Sequence, residues 1–372
     1  MLVTGFDDRA RYVMIGGFLG AGKTTAVDRL ARMLADRGLV VGLITNDQST
    51  GLVDTALLRS HGFEVEEIAG GCFCCRFDSL QEAAGRLSAA TRPDVFLAEP
   101  VGSCTDLSAT LVQPIKMMFE HEFTQSPLTV LADPFVLRGI LDGNSNSLHP
   151  STRYIYQMQL EEADIIALNK IDLLEPEELG TLEQLIKNSF PRAKIRFLSS
   201  LFGHGIDDWL KEIMAAESHT SGIAEVDYRR YAEGELRLAW LNAEIRLSGL
   251  SGAMDWRRFC STLLDKLRTT AIKGEMAVGH IKLLLTTENG HLAASLTANG
   301  KEASMRDDLR DAAIESRLIL NARVDTTPET LKIIVQEAIK AACGNSARFR
   351  IKRISSTRPG VPHPTHRILP VV

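Results

Sequence analysis

The length and composition of the chain are those of a folded protein with two or three domains. It has 372 residues, of which 45% are hydrophobic and 24% are charged; these values exclude a disordered chain, a collagen-like fibre and a coiled coil. Its net charge of −5 argues against a nucleic-acid-binding protein, because such proteins normally carry a basic excess. Six cysteines are too few for a disulfide-rich scaffold.

The first residues and the hydropathy favour a cytoplasmic protein. Residues 1–11 contain two aspartates and lack the basic start and apolar run of a secretory signal. No stretch approaches the roughly 18 apolar residues that a membrane-spanning helix needs. We therefore expect a soluble protein of the reducing cytoplasm, with neither nucleic acid nor membrane among its partners.

Short apolar runs alternate with helical patterns through the first 220 residues, which is typical of βαβ units. Helices are predicted over 24–37 and 177–188. The predicted strands are rich in Val, Ile and Leu, as in parallel sheets buried on both faces; they are Tyr12–Ile15, Leu39–Thr45, Val95–Ala98, Leu128–Ala132, Asp164–Leu168 and Ile195–Leu198. The expected fold class is α/β, with a parallel sheet flanked by helices.

The pattern changes near residue 220, after a small polar linker over 215–222. We predict a first domain over residues 1–220 and a smaller C-terminal α+β domain over 221–357. Its strands are expected at 235–246, 278–287, 292–296 and 349–354, its helices at 255–267 and 329–342, and a hairpin turn at Asn289-Gly290; residues 314–324 are mixed. Residues 358–372 are rich in proline and predict an extended, solvated tail.

A glycine-rich segment follows the first predicted strand. Gly17-Phe-Leu-Gly-Ala-Gly-Lys-Thr24 matches G-x-x-x-x-G-K-[ST] at every fixed position and precedes a helical pattern. The backbone N–H groups of such a loop point at a phosphate, while the lysine supplies charge and the Thr hydroxyl ligates Mg²⁺. We therefore predict a P-loop NTPase, whose phosphate-binding residues are Gly17, Gly20, Ala21, Gly22, Lys23, Thr24 and Thr25.

Two later segments indicate which base is bound. Asn169-Lys170-Ile171-Asp172 follows a predicted strand and resembles the N-K-x-D motif of GTPases, in which the Asp carboxylate accepts two guanine N–H groups. The segment 199–203, which includes Ser200 and Leu201, follows the next strand and resembles the loop that closes over guanine. The two motifs together favour GTP over ATP.

Acidic residues end two of the predicted strands. Glu99 ends the strand over 95–98, where its carboxylate can hold Mg²⁺ through water or orient the attacking water. Asp47 ends the strand over 39–45, and the loop after it is a candidate sensor of the γ-phosphate. The residues predicted to carry phosphoryl transfer are Lys23, Thr24 and Glu99.

Three of the six cysteines lie within four positions, in Gly71-Cys72-Phe73-Cys74-Cys75. In a reducing compartment this density of thiols favours a metal such as Zn²⁺, Cu(I) or Co²⁺ over disulfides. Three thiolates leave a fourth position for another ligand, and Asp47 is one candidate. Cys104 is a further candidate, although a single cysteine is more often a core residue, and Cys260 and Cys343 are expected to be packing residues.

The combination of these motifs resembles the CobW-like P-loop metallochaperone GTPases, which include cobalamin synthesis and nitrile hydratase activator proteins. The resemblance covers the first 215 residues through GGFLGAGKTT, GGCFCC, E-x-x-G and LNKIDL. It implies a GTPase that uses GTP and Mg²⁺, binds Zn²⁺ or Co²⁺ through its CxCC motif and passes the ion to a client metalloprotein. A second copy of the chain is another candidate partner.

The chain departs from the family pattern at several positions. Asn46-Asp47-Gln48-Ser49-Thr50 stands where the family usually has Asn-Glu-Phe-Gly-Glu, and Pro100-Val101-Gly102 where it has Thr-Ser-Gly. A histidine-rich tract, which many members carry, is missing from the sequence.

Two other hypotheses fit parts of this sequence. One is a regulatory GTPase switch for a client enzyme, such as a corrinoid or other metalloenzyme, in which the cysteines are structural. The other is a P-loop kinase for a small substrate, against which the N-K-x-D motif argues.

Overall fold

The computed structural model describes residues 9–47, 52–142, 148–218, 223–297 and 303–369. The chain forms two compact units. Unit 1 contains Met1–Gln48, Gly62–Gly234 and Pro362–Val372, and unit 2 contains Ser49–His61 and Glu235–Val361. None of the helices within the described ranges has the length and apolarity needed to cross a membrane.

Unit 1 is built on a parallel sheet, as the sequence predicts. Its strands are β1 Ala10–Gly17, β2 Val41–Asp47, β3 Val65–Ala69, β4 Val95–Glu99, β5 Phe123–Gln125, β6 Thr129–Ala132, β7 Ile165–Leu168 and β8 Lys194–Phe197. Their order is β3-β2-β4-β1-β6-β7-β8, and β5 also pairs with β1. The sequence analysis missed two of these strands, because β3 carries two glutamates and β5 has only 3 residues.

Helices connect the strands and continue into unit 2. They are α1 Lys23–Ala35, α2 Val53–Ser60, α3 Phe77–Thr91, α4 Gln113–Met118, α5 Pro134–Leu141, α6 Pro150–Glu161, α7 Pro176–Ser189, α8 Ile206–Ala215, α9 Tyr228–Arg237, α10 Trp256–Lys273 and α11 Pro328–Cys343. In α1 the buried apolar residues Ala26, Val27, Leu30 and Leu34 recur at helical spacing and form one apolar face. This spacing explains why the segment after the P-loop is a helix.

The parallel arrangement brings the predicted site segments to one edge of the sheet. Parallel strands share a common carboxyl edge, where ligands of open α/β sheets bind. The glycine-rich loop follows β1, the cysteines follow β3, and Glu99 is the last residue of β4. Asn169 and Ser200 follow β7 and β8. The sheet topology therefore assembles segments that are far apart in the sequence.

Unit 2 is an antiparallel sheet with two long helices on one face. The sheet order is β12-β11-β10-β13-β9-β14, with β9 Leu238–Gly249, β10 Val278–Thr287, β11 Gly290–Leu296, β12 Ser304–Asp307, β13 Glu315–Asp325 and β14 Ala347–Thr357. Leu283 and Leu285 pack with α10 and α11 in the core, while Leu284, on the alternate face, packs with Val53 of α2. The prediction of a separate α+β region is confirmed.

Several details of unit 2 differ from the sequence analysis or extend it. The predicted strand over 235–246 begins as the last turn of α9, and the mixed segment 314–324 is the central strand β13. Cys260 and Cys343 are buried in the core of unit 2, so their prediction as packing residues is confirmed. The linker at 215–222 lies partly outside the described residues, and the predicted boundaries at 220 and 357 remain predictions because compact units need not be independent domains.

Candidate nucleotide and metal site

The glycine-rich loop has a backbone that only glycine adopts readily. Gly17, Gly20 and Gly22 have φ of 133°, 81° and 95°, in the region where a side chain is strained. A Cβ on Gly22 would lie 2.4 Å from Asn169 Nδ2, and one on Gly17 would lie 2.4 Å from Leu131 O. The loop is therefore packed closely against Asn169 and Leu131, in a shape that residues with a side chain do not adopt readily.

Two polar side chains at the start of α1 lie inside this loop. Lys23 and Thr24 are buried. The Lys23 Nζ donates to Gly17 O at 2.8 Å, and the Thr24 hydroxyl donates to Glu99 Oε1 at 3.0 Å. The structure thus brings together the three residues predicted for phosphoryl transfer. Hydroxyl and carboxylate oxygens are the donors that Mg²⁺ prefers, so Thr24 and Glu99 fit this ion.

Asn169 links the glycine-rich loop to the segment after β8. Its Nδ2 donates to Ala21 O at 2.8 Å, and its Oδ1 accepts from the backbone N–H and the hydroxyl of Ser200 at 2.9 and 3.0 Å. This buried amide ties the glycine-rich loop to the segment after β8.

The remaining residues of the predicted guanine site also follow β7 and β8. Lys170 has a left-handed backbone, with φ of 60°, and its Nζ pairs with Asp133 Oδ2 at 2.7 Å. Asp172 and Leu201 are exposed at the same edge of the sheet. Arg29 of α1, which the sequence analysis missed, donates to Ser200 O at 2.7 Å and Leu201 O at 2.5 Å. Its position on a helix gave no local signal of this role.

The cysteines after β3 form a compact cluster. Their sulfur atoms all lie within 4.8 Å of one another. Cys72 Sγ is 2.9 Å from Cys74 Sγ and 3.1 Å from Cys75 Sγ, within a turn where the Cys75 N–H donates to Cys72 O at 3.1 Å. Three converging thiols of this kind can bind a thiophilic metal ion.

Hydrogen bonds among the thiols shift their pKa values in opposite directions. Hydrogen bonds with Cys104, Cys74 and Cys75 hold the pKa of Cys72 well below its usual range, against the effect of burial. The same contacts, with burial, raise the pKa of Cys74 well above its usual range, and the hydrogen bond with Cys72 raises the pKa of Cys75 to about 11. One thiolate is therefore stabilised by neighbouring thiols, whose protons a metal ion would displace.

Asn46, at the end of β2, braces the cysteine loop. Its Nδ2 donates to Ile68 O at 3.0 Å and Gly71 O at 2.7 Å, while its Oδ1 accepts from the Phe73 N–H at 2.8 Å. The sequence analysis did not select Asn46. It selected the neighbouring Asp47, whose side chain lies outside the described residues, so the prediction that Asp47 is a ligand remains a prediction.

Part of the C-terminal tail lies against the cysteine cluster, a contact that the prediction of a solvated tail did not include, while His363 and Thr365 remain exposed. The backbone N–H groups of His363 and Thr365 donate to Cys75 Sγ at 3.2 Å and to Cys74 O at 2.8 Å. Arg367 pairs with the buried Asp106 at 2.7 Å. Tertiary hydrogen bonds and this ion pair fix a segment whose proline content indicated only an extended backbone.

One short segment touches both the P-loop and the cysteines. Residues 99–104 begin with Glu99, the partner of Thr24. A Cβ on Gly102 would lie 2.9 Å from Lys23 Nζ, so this glycine packs directly on the P-loop lysine. Cys104 ends the segment with its thiol against Cys72 and Cys74. A movement of residues 99–104 would therefore change the surroundings of both Lys23 and the clustered thiols.

Three curated proteins are similar to this chain over about half of its length. Zinc-regulated GTPase metalloprotein activator 1 of Dictyostelium discoideum is 26% identical over 223 residues, covering 52% of this chain and 46% of that protein. The zinc chaperone YeiR of Escherichia coli (strain K12) is 31% identical over 174 residues, covering 46% of this chain and 49% of that protein. The zinc chaperone CobW of Sinorhizobium sp. is 30% identical over 207 residues, covering 48% and 56%.

This chain thus spans about half the length of the curated relatives it matches. The family model described as "CobW/HypB/UreG, nucleotide-binding domain" matches residues 11–197, which contain the P-loop, the three clustered cysteines and Asn169. The resemblance noted in the sequence is confirmed: the chain belongs to the CobW/HypB/UreG family and contains its nucleotide-binding domain.

Proposed function

We propose that this protein is a GTP-hydrolysing metallochaperone that binds a transition metal through Cys72, Cys74 and Cys75 and delivers it to a client metalloprotein. The observation that carries the proposal is the convergence of three cysteine sulfurs within 4.8 Å, in the same compact unit as the P-loop. A GTPase that acted only as a switch would not need three converging thiols. The proposed location is the cytoplasm, where these thiols stay reduced.

Zinc is the metal that we propose first, with cobalt as the second choice. Thiolates suit Zn²⁺ and other soft or borderline ions better than Mg²⁺ or Ca²⁺. Two relatives named zinc chaperones and one named a zinc-regulated activator support zinc. Metal ions must displace the protons of Cys74 and Cys75, whose pKa values are raised, so we expect weaker binding as the pH falls.

The nucleotide chemistry rests on the residues at the start of α1 and the end of β4. Lys23 would supply positive charge to the β- and γ-phosphates, and Thr24 would hold a Mg²⁺ ion, which would neutralise charge that develops on the phosphates. Glu99 is placed beside Thr24 to hold the ion through water or to orient the attacking water. We propose that Asn169 positions the base loop and that Asp172 accepts hydrogen bonds from guanine.

Coupling of the two sites follows from the segment 99–104. Gly102 packs on Lys23 and Cys104 contacts two of the clustered cysteines. A change at the phosphates that shifts this segment therefore alters the surroundings of the metal. Such coupling is reciprocal, so bound metal must also change the affinity for GTP.

A metal titration with a matched variant tests the proposal. Cys74→Ser should lower the zinc bound at equilibrium and leave GTP binding by the metal-free protein nearly unchanged, because the thiol is outside the P-loop. Cys343→Ser is the control, since Cys343 is also buried but lies in the core of unit 2. Unchanged zinc stoichiometry in Cys74→Ser would refute the metallochaperone.

Repeating the titrations of Zn²⁺, Co²⁺ and Ni²⁺ with a non-hydrolysable GTP analogue tests the coupling. We expect the affinity for at least one metal to depend on the nucleotide. Metal affinities that are the same with and without the analogue, together with client-dependent GTP turnover indifferent to zinc, would instead support a regulatory switch.

An Asp172→Asn variant should lose its preference for GDP over ADP, which tests the proposed base specificity separately.

A further inference from the structure

Cys104 meets the cysteine cluster from a different strand connection. It lies five residues beyond the end of β4, whereas the other cysteines follow β3. Its side chain is only 1% exposed. Its thiol makes hydrogen bonds with Cys72 and with Cys74. The sulfur thus faces two candidate metal ligands.

The backbone around Cys104 is held in place on both sides. Its N–H donates to Val101 O at 2.9 Å in a turn. The buried Gln159 of α6 donates through Nε2 to Cys104 O at 2.7 Å and to Gly102 O at 3.0 Å. The backbone that carries this sulfur is therefore fixed, so the approach of Cys104 to the three sulfurs that lie within 4.8 Å of one another depends on its side chain.

The surroundings of Cys104 differ from those of the packing cysteines. Cys260 and Cys343 lie in the apolar core of unit 2, where burial is the main cause of their raised pKa values. The Cys104 thiol instead contacts two other thiols, those of Cys72 and Cys74. A small hydrophobic residue would satisfy a packing role, whereas a thiol–thiol contact has a specific use when a metal ion is bound.

We propose that Cys104 is the fourth thiolate of the metal site, so that Cys72, Cys74, Cys75 and Cys104 together form a closed four-sulfur site. This inference rests on the proposed function, since it assumes that the cluster binds metal. Structural zinc sites are tetrahedral, with four ligands and Zn–S distances of about 2.3 Å. Binding of Zn²⁺ to four thiols releases their protons to solvent and leaves a site of net charge −2.

The tail supplies part of the second shell that such a negative site requires. The His363 N–H donates to Cys75 Sγ at 3.2 Å, and backbone N–H groups pointing at sulfur stabilise thiolate charge. With four sulfurs the ion has no open position for water. The site we infer therefore selects thiophilic ions such as Zn²⁺, and release of the ion requires one thiolate to leave.

The coordination number in the unaltered protein is the first test. Zinc is added to the full-length reduced chain, and X-ray absorption at the zinc edge counts the sulfur ligands. We expect four sulfurs at about 2.3 Å. Three sulfurs with one nitrogen or oxygen would overturn the role of Cys104 and leave the proposed metallochaperone intact. An absence of bound zinc would refute the proposed function and this inference together.

A pair of variants provides the second test. Cys104→Ser should weaken zinc binding, measured by competition with a chelator, by about 100-fold, because even outer-shell partners are worth about 10- to 100-fold. In the Co²⁺ form, the sulfur-to-cobalt charge-transfer band should lose about a quarter of its intensity, since one of four thiolates is gone. Cys343→Ser should change neither quantity.

Unchanged zinc affinity and an unchanged cobalt band in Cys104→Ser would overturn the inference. GDP binding is measured on both variants to show that unit 1 is folded. If Cys104→Ser does not fold, the sulfur count of the unaltered protein decides the question.

Discussion

We predict that zinc binding by the cysteine loop depends on one buried amide, the side chain of Asn46, which holds the loop through hydrogen bonds. Asn46→Ala removes three hydrogen bonds, to Ile68 O, Gly71 O and the Phe73 N–H, all between 2.7 and 3.0 Å. Each is worth about 1 kcal/mol net. If the loop must be reordered before metal binds, the loss of about 3 kcal/mol corresponds to a roughly 100-fold weaker zinc affinity.

A second substitution separates the hydrogen bonds of Asn46. Asn46→Asp keeps the acceptor for the Phe73 N–H but removes both donors and places a carboxylate against the carbonyls of Ile68 and Gly71. Because the buried carboxylate and the carbonyl oxygens are all hydrogen-bond acceptors and repel one another, we expect the zinc affinity of Asn46→Asp to be at least as low as that of Asn46→Ala. The ranking of the two variants shows whether the donors or the acceptor hold the loop.

Zinc competition with a chelator and thermal unfolding are measured together on each variant. Asn242→Ala is the control, because it removes a buried amide of unit 2 that accepts from Arg323 at 2.9 Å. The control should lose stability without losing zinc affinity. If Asn46→Ala binds zinc as tightly as the unaltered protein, the loop does not need this brace and the reasoning is refuted.

Three further predictions follow from the packing and electrostatics of unit 1. Gly22→Ala should weaken GDP binding about 100-fold, because its Cβ would lie 2.4 Å from Asn169 Nδ2. The control is Gly38→Ala, which is also at positive φ but has open space around it and should leave GDP binding unchanged. Equal losses of GDP affinity in the two variants would contradict the explanation. Burial raises the pKa of Glu162 to about 8, above its unfolded value near 4.5. Its contribution to stability is therefore complete below about pH 4.5 and falls by about 1.4 kcal/mol per pH unit up to pH 8. Urea unfolding of Glu162→Gln should show a shallower loss of stability between pH 6 and pH 8 than the unaltered protein, and equal slopes would count against this assignment. Arg367→Ala removes the tail's ion pair with Asp106 and should speed alkylation of the Cys75 thiol in the metal-free protein. Arg358→Ala is the control, because Arg358 is exposed and its loss should not change the alkylation rate. Equal alkylation rates in the two variants would show that the ion pair does not hold the tail.

Contiguous motifs carried most of what could be predicted about the site. The P-loop, the segment from Asn169 to Asp172 and the three clustered cysteines each span a few residues, so covalent connectivity alone brings their functional groups together. Alternating apolar runs predicted the parallel sheet, and with it the common edge at which these segments meet. The family resemblance followed from the same motifs and is confirmed by the match over residues 11–197.

Contacts between distant segments could not be predicted in this way. Arg29 reaches Ser200 and Leu201 from a helix whose pattern indicates only an amphipathic surface. Asn46 reaches the cysteine loop because β2 lies beside β3, an order that the sequence does not specify. The tail looked solvated because proline favours extended backbone in both free and docked segments.

The sequence by itself therefore determined the family, the phosphate loop and the presence of a three-cysteine motif, because these depend on residues that are close along the chain. The tertiary structure alone decided what surrounds that motif. Strand order places β2 between β3 and β4, so Asn46 approaches the cysteines from the strand next to β3 and Cys104 from the connection after the strand beyond it. Backbone hydrogen bonds bring the tail against the same cysteines. These contacts depend on packing energies summed over the whole sheet, which no local pattern contains.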